Sequence, residues 1–177
     1  ALVKALDDPR CKLVISHEAG DEGQEYAEWL QEAAKSRGVD LRLLGIKMRD
    51  PWNDVGGAAN THSLLDIYPL ADFVTYPSLY EGFGNAFLEA IYFRKPIVVN
   101  NYAIYDLDIR PKGFRTIEMD HYMTSNTVRQ AKEVLANNEL AEEMVETNYK
   151  LGRRYFSYEV LEQQLATLLM NCFGRSF

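Results

Sequence analysis

The chain has 177 residues, of which 47% are hydrophobic, so it is long enough to form one domain with a substantial buried core. Its formal net charge of −7 argues against a nucleic-acid-binding protein, because little basic surface is available to neutralise a run of phosphates. No segment approaches the roughly 18 consecutive apolar residues that span a bilayer.

Cysteine usage is typical of a reducing compartment. Cys11 and Cys172 have neither metal-ligand nor redox spacing. We therefore expect two reduced thiols in a cytoplasmic protein, with a disulfide as the alternative. The sequence makes no prediction about association with a membrane surface.

The first elements alternate between strand and helix. The apolar run at 12–16 predicts a buried strand, and apolar residues at three- and four-residue spacing predict an amphipathic helix over 22–37, stopped by Gly38. A second strand follows at 39–46. Turn residues without a period predict a loop at 48–60.

The middle of the chain continues the alternation and then becomes irregular. The predicted elements, in order, are a short helix (62–71), a third strand (72–77), a helix (82–94) and a fourth strand (95–101). An irregular segment (102–114) and an edge strand (114–119) follow.

Three helices are predicted in the last third of the chain. They cover 124–137, 138–156 and 157–173, and cap residues mark where they begin. The predicted caps are Thr124 or Ser125, Asn138 and Ser157. Strands that alternate with helices and end in a helical tail predict an α/β fold with an open, doubly wound parallel sheet. We expect residues 1–177 to form one domain.

The segment PSLYEGFGNAFLEA, residues 77–90, lies where the third strand crosses to the next helix. Ligands of open parallel sheets bind at such crossings, outside the carboxyl ends of the strands. Gly82 and Gly84 allow unusual backbone dihedrals and close approach of a ligand. The N-terminus of the helix suits a phosphate, so the amides of Gly84, Asn85 and Ala86 are the predicted anion contacts.

Two acidic residues bracket this predicted phosphate site. Asn85 and Glu89 are four residues apart and share a helix face, away from the apolar stripe expected to pack on the sheet. Glu81 precedes the glycines on the other side. Carboxylates accept hydrogen bonds from sugar hydroxyls, so the pattern permits a nucleotide sugar without demanding one. Two solvated acids are the alternative.

Other polar residues give weaker signals. His17 follows a strand at the predicted ligand edge, and Lys47 and Arg49 are candidates for contacts with an anion. A surface position is favoured for His17, and solvated charges are the equal alternative for Lys47 and Arg49. No pair of histidines has metal-ligand spacing, and no metal site is predicted.

The run from residue 77 to 99 resembles the signature of retaining glycosyltransferases of the two-domain GT-B fold, in the family called glycosyltransferase group 1 or family 4. That signature has two glutamates separated by seven residues, in the form P-S-x-x-E-G-F-G followed by L-E-A and P-V-V. The matching residues are Pro77, Ser78, Glu81, Gly82, Phe83, Gly84, Glu89, Ala90, Pro96, Val98 and Val99.

The resemblance implies a role for each part of the motif. Glu81 would be the catalytic-site residue that binds the donor sugar, and Glu89 would bind the ribose. The backbone of residues 82–85 would hold the sugar and the diphosphate, and the loop around Ile46 and Lys47 would take the base. The family is generally described as metal-independent, so no cofactor is expected beyond the nucleotide-sugar donor.

Two departures from the family pattern limit what the resemblance implies. Arg94 and Lys95 precede Pro96 where a glycine is usual, and NNYAIYDLD replaces a common G-G-x-x-E stretch. Contacts in that stretch are therefore not carried over.

The resemblance also implies that part of the enzyme is missing. A first strand, which leads to a basic pair, and an N-terminal acceptor domain are expected upstream. We therefore expect a donor-binding C-terminal domain with little activity alone. A non-catalytic sugar- or nucleotide-binding module and a nucleotide-sugar epimerase are the alternatives.

Overall fold

The computed structural model describes residues 1–17, 24–46 and 64–174. The predicted loop at 48–60 lies outside these residues. The chain divides into two compact units, which are residues 1–71 with 123–132, and residues 72–122 with 133–177. The assignment of residues 1–177 to one domain stays a prediction.

The first unit holds a two-stranded parallel sheet. Strand β1 pairs with β2 from Lys12 opposite Asp40, and the register shifts between Ile15 and His17. The strands and the intervening helix lie where the hydrophobic pattern predicts them, but the prediction that the first strand is buried is wrong, because Val14 in β1 is 48% exposed. Gly38 follows that helix at φ +64°, consistent with the predicted stop. The elements are α1 (Leu2–Leu6), β1 (Lys12–His17), α2 (Gln24–Ser36), β2 (Asp40–Ile46) and α3 (Leu64–Ile67), the last continued by a 3-10 turn at Tyr68–Leu70.

The second unit holds a three-stranded parallel sheet in the order β3-β4-β5. All four residues of the central strand β4 are buried, as expected for a strand covered on both faces. The prediction that residues 114–119 contribute an edge strand is confirmed. The elements are β3 (Val74–Tyr76), α4 (Asn85–Tyr92), β4 (Ile97–Asn100), β5 (Ile117–Met119), α6 (Asn138–Phe156) and α7 (Tyr158–Phe173); α5 (Ser125–Ala136) begins in the first unit.

Helix α4 packs by the face that the sequence predicts. Phe87, Ala90 and Ile91 are buried. Helix α6 approaches closely at Gly152, where an added Cβ would lie 2.9 Å from Cγ2 of Ile91. A glycine in the middle of α6 is unfavourable for the helix itself, so its value here is the close contact with α4.

The segment predicted to be irregular at 102–114 is partly helical, and this prediction was wrong in that respect. A π-helical turn covers Tyr105–Ile109 and a 3-10 turn covers Arg110–Lys112. Tyr105 and Ile109 are fully buried, and the Tyr105 ring lies 6.0 Å from the Phe87 ring. Tertiary packing of these two side chains therefore stabilises the helical turns. The exposed acidic residues and the proline of this segment hide the helical spacing of its hydrophobic residues in the sequence.

Helix caps agree with the sequence at two of three predicted positions. Thr124 Oγ1 accepts the Thr127 N–H at 3.2 Å, and Ser157 Oγ accepts the Val160 N–H at 3.4 Å. The prediction of Asn138 as the cap of α6 was wrong by one residue. Asn137 is in an extended conformation, and its Oδ1 accepts the Leu140 N–H at 3.1 Å.

Two expectations from composition can be compared with the described residues. Cys11 and Cys172 are free thiols, the first half-buried and the second exposed. Within the described ranges, every helix is too short or too polar to cross a membrane.

Candidate functional site

The candidate site is the loop that joins the carboxyl end of β3 to the start of α4. The strand ends at Tyr76, and the helix begins at Asn85 with Gly84 as its N-cap. As a glycine, the N-cap residue supplies no side-chain hydrogen bond to this end of the helix. The positive end of the helix dipole therefore lies at the carboxyl edge of the sheet, where a ligand is expected.

The two glycines of the loop have different reasons to be glycine. Gly84 has φ +102°, and an added Cβ would lie 2.5 Å from Tyr102 Oη and 3.0 Å from Tyr76 Oη. Gly82 has an ordinary φ, and no atom of the described residues lies within 4 Å of where its Cβ would be. The expectation of unusual dihedrals at both glycines is thus correct for Gly84 and wrong for Gly82, whose open surroundings leave room for a ligand to approach.

The buried side chain of Tyr102 is hydrogen-bonded to the backbone of this loop. The Tyr102 hydroxyl donates a hydrogen bond to the Phe83 carbonyl at 2.8 Å, and the side chain is 1% exposed. Its ring meets the Tyr76 ring edge-on, with centroids 5.9 Å apart. Tyr102 is not predicted from the sequence, because its hydrogen-bond partner is a backbone carbonyl 19 residues away. The one available signal was an aromatic residue where the family signature has a glycine-rich stretch.

Glu81 is half-buried at the start of the loop and faces these tyrosines. Burial first, and then hydrogen bonding with the Glu81 carboxylate, raises the pKa of Tyr76. Burial and then the charge of Glu81 raise the pKa of Tyr102 to about 12. Both hydroxyls are therefore protonated at neutral pH, and the Tyr76 hydroxyl can help to orient the carboxylate of Glu81.

The remaining motif residues lie on the first turns of α4 or directly before them. Asn85 is exposed, whereas Ala86 and Glu89 are half-buried. Phe83 is also half-buried, and its ring packs against Phe156 at the end of α6, with centroids 5.1 Å apart. Asn85, Ala86 and Glu89 are thus separated from the buried face of the helix, whereas Gly84, also a predicted ligand contact, is buried.

Asparagines at the end of β4 connect this loop to the neighbouring strands. Asn100 is 1% exposed; its Nδ2 donates to the Ser78 carbonyl at 3.0 Å, and its Oδ1 accepts the His121 N–H at 2.7 Å. Asn101 follows, and among the described residues its Oδ1 is the buried side-chain polar atom that has no hydrogen-bond partner. The edge thus offers an acceptor of the kind that a hydroxyl group of a ligand needs.

The predicted base-binding residues fall in the first unit or outside the described ranges. Ile46 is the last residue of β2, and Lys47 and Arg49 are not among the residues that the structure describes. His17 is the last residue of β1. Over the three described ranges, no cluster of three His, Cys, Asp or Glu side chains could hold a metal ion. The expectation that no metal is used stays a prediction.

Comparison with known proteins identifies relatives along most of the chain. A family model described as "Glycosyl transferases group 1" matches residues 1–151. Mannosylglucosylglycerate synthase of Thermotoga maritima is 35% identical over 158 residues, which are 82% of this chain and 35% of that protein. The protein of the same name from Petrotoga mobilis is 40% identical over 98 residues, or 55% of this chain and 22% of that protein. The chain therefore spans about a third or less of each of these relatives.

Solved structures show the same fold at low sequence identity. Anabaena Alr3699/HepE, whose structure is a complex with UDP, aligns with a TM-score of 0.74 and 15% identity over 96% of this chain and 44% of its own. Sucrose-phosphate synthase from Thermosynechococcus elongatus aligns with a TM-score of 0.74 and 15% identity over 99% of this chain and 42% of its own. These similarities confirm the predicted α/β fold class, with parallel strands and a helical C-terminal region.

Proposed function

The chain belongs to the glycosyl transferases group 1 family, and on this basis we propose that it forms the donor-binding part of a retaining enzyme that transfers a hexose from a nucleoside-diphosphate sugar. The observation that carries the proposal is the start of α4. The N-terminus of this helix, reached through Gly84, lies between Glu81 and Glu89 along the chain and follows the carboxyl end of a strand in a parallel sheet.

Each predicted site residue has a role in this proposal. The amides at Gly84, Asn85 and Ala86 contact the diphosphate, whose charge the helix dipole stabilises. Glu81 binds hydroxyls of the donor sugar, and Glu89 binds those of the ribose. The backbone of Gly82 and Phe83 approaches the sugar, and the loop around Ile46 and Lys47 binds the base.

Catalysis in this proposal is electrostatic and positional. Negative charge develops on the leaving diphosphate as the bond to the sugar breaks. Fixed N–H dipoles stabilise that charge without having to reorient, which makes them effective in a site that excludes water. Glu81 holds the sugar in position, so part of the entropic cost of the transfer is met on binding.

The named relatives support the choice of ligand. The Thermotoga maritima protein is named for a product that contains mannosyl and glucosyl groups, which favours a hexose donor here. The structural neighbour from Anabaena is described with UDP, which favours a nucleoside diphosphate. Because this chain spans 35% of the first relative, the activity of the whole protein requires further residues in this proposal.

Calorimetry on the full-length protein tests the donor site. Nucleoside diphosphates and their hexose conjugates are titrated into the wild type, Glu89→Ala and the control Glu142→Ala, which removes an exposed carboxylate from α6. We expect Glu89→Ala to weaken donor binding about tenfold or more, because it removes charge-assisted hydrogen bonds to hydroxyls. Equal affinity of the wild type and Glu89→Ala would contradict the proposed role.

Product analysis tests the reaction. Transfer of the hexose to an acceptor with its anomeric configuration kept, as seen by NMR of the product, is the expected result. Donor binding without transfer would favour a non-catalytic module, and a new nucleotide sugar would favour an epimerase. We expect the 177-residue chain alone to show little or no transfer, and clear turnover by it would contradict this expectation.

A further inference from the structure

The loop between β3 and α4 is hydrogen-bonded to two buried side chains, Asn100 at the Ser78 carbonyl and Tyr102 at the Phe83 carbonyl next to the helix. Tyr102 donates to the Phe83 carbonyl at 2.8 Å, and the same hydroxyl lies 2.5 Å from where a Cβ on Gly84 would be. We propose that Tyr102 is a positioning residue of the donor site, which orients the Phe83–Gly84 peptide so that the Gly84 N–H faces the diphosphate. This inference rests on the proposed function of the site.

The geometry of the peptide bond connects the two groups. A trans peptide is planar, and its C=O and N–H point in opposite directions. When the Phe83 carbonyl is held toward the buried Tyr102 hydroxyl, the Gly84 N–H must point away from that hydroxyl. Gly84 is itself buried, and its N–H points to the side of the peptide opposite the Tyr102 ring, which is 1% exposed. One hydrogen bond thus fixes the direction of an amide at the helix N-terminus.

The position of the Tyr102 hydroxyl is itself constrained. The ring contacts Tyr76 edge-on and Tyr105 at a tilt, with both centroid distances 5.9 Å. Tyr105 is fully buried, and its hydroxyl is within 2.6 Å of Thr116 Oγ1 and donates to Glu118 Oε1 at 3.0 Å. The hydroxyl therefore has a fixed location, and it can hold the loop in one conformation before a ligand binds. Such preorganisation favours binding because less conformational entropy is lost.

Gly84 and the Tyr102 hydroxyl lie so close together that position 84 has no room for a side chain. The glycine adopts φ +102°, which brings its Cα close enough to the hydroxyl to exclude any side chain. A phenylalanine at 102 would fill the same buried volume but would leave the Phe83 carbonyl without its donor. Loss of this hydrogen bond should therefore change the orientation of the loop without creating a cavity in the core.

Two tyrosine variants of the full-length protein separate positioning from packing. Tyr102→Phe removes the hydroxyl that reaches the loop, and Tyr105→Phe removes an equally buried hydroxyl that bonds to Thr116 and Glu118 instead. We expect Tyr102→Phe to bind a nucleoside diphosphate about tenfold more weakly while its affinity for the unphosphorylated nucleoside changes less than about twofold. Tyr105→Phe should keep the ratio of the two affinities. Equal ratios in the wild type and Tyr102→Phe would overturn the inference.

NMR without ligand gives a second measurement. Carbonyl-¹³C phenylalanine combined with ¹⁵N glycine selects Phe–Gly pairs, which in this sequence are Phe83–Gly84 and Phe173–Gly174. The Gly84 amide signal should move in Tyr102→Phe and stay in place in Tyr105→Phe; an unmoved signal in Tyr102→Phe overturns the inference. If the wild type binds no nucleoside diphosphate, the proposed function fails and this inference with it. If the wild type binds and Tyr102→Phe binds equally well, only the inference fails.

Discussion

Asn148 on α6 holds the backbone of Arg115 with a pair of hydrogen bonds. The Arg115 N–H donates to Asn148 Oδ1 at 2.7 Å, and Asn148 Nδ2 donates to the Arg115 carbonyl at 2.6 Å. The side chain is 1% exposed, so the two bonds form away from water. In this way a single side-chain amide connects the chain before β5 to α6.

Removal of this amide should destabilise the protein strongly. Asn148→Ala leaves the donor and the acceptor of Arg115 unpaired in a buried position, so we expect the free energy of unfolding to fall by about 2–4 kcal/mol. Urea denaturation measures this change. Arg115→Ala is the control, because it removes the half-exposed ion pair with Glu143 and keeps the backbone bonds. It should cost at most about 1 kcal/mol, and an equal loss in both variants would contradict the role given to the amide.

The two glycines of the loop should respond differently to alanine. In Gly84→Ala the new methyl group meets two buried hydroxyls at a positive φ, so we expect stability to fall by about 1–3 kcal/mol and nucleoside-diphosphate binding to weaken. Gly82→Ala has open space around its Cβ and should keep the stability of the wild type within about 0.5 kcal/mol. Thermal unfolding and calorimetry of both variants check this pair. A stable Gly84→Ala that binds normally would show that neither the dihedral nor the contact matters.

Substitution of two adjacent asparagines tests which of them caps α6. Asn137 accepts the Leu140 N–H, whereas Asn138 is the first residue inside the helix and is exposed. Asn137→Ala should therefore lower the free energy of unfolding by about 1 kcal/mol, and Asn138→Ala should change it by less than about 0.5 kcal/mol. Chemical denaturation of the two variants under identical conditions makes the comparison. The reverse order would restore the cap expected from the sequence.

These cases show where sequence reasoning succeeds in this chain. The burial of Phe87, Ala90 and Ile91 follows from helical spacing alone, and the start of α4 follows from the glycines before it. Local periodicity and turn chemistry are properties of neighbouring residues, so the sequence displays them directly. The choice between Asn137 and Asn138 lies within the usual uncertainty of a helix boundary.

What the sequence conceals is pairing over long separations. Tyr102 reaches Phe83, and Asn148 reaches Arg115, across 19 and 33 residues, respectively, and each contacts backbone atoms that carry no sequence signal. Tyr105 and Ile109 are fully buried, although their segment looks irregular in the sequence because polar residues separate the two. The position of the acids and glycines at the crossing from β3 to α4 was therefore predictable from the sequence, whereas the side chains that support this loop were not.

The buried tyrosines should make stability depend on pH at the alkaline end. Burial is the first cause that raises the pKa values of Tyr76, Tyr102 and Tyr105, and that of Tyr102 rises to about 12. An unfolded tyrosine ionises near pH 10, so above that pH the unfolded state binds fewer protons than the folded state, and stability falls by up to ~1.4 kcal/mol per pH unit for each tyrosine. The contribution is fully present below pH 10 and is lost as the pH rises through the folded-state value.

Tyr102→Phe should therefore lose stability less steeply than the wild type between about pH 10 and pH 12, with a slope smaller by up to ~1.4 kcal/mol per pH unit. Urea denaturation at intervals over this range measures the slope. Tyr80→Phe is the matched control, because its ring is 91% exposed and its surroundings change little on unfolding. Identical slopes in the wild type and Tyr102→Phe would mean that the Tyr102 hydroxyl reaches water in the folded protein, which is incompatible with its bond to the Phe83 carbonyl beneath the loop.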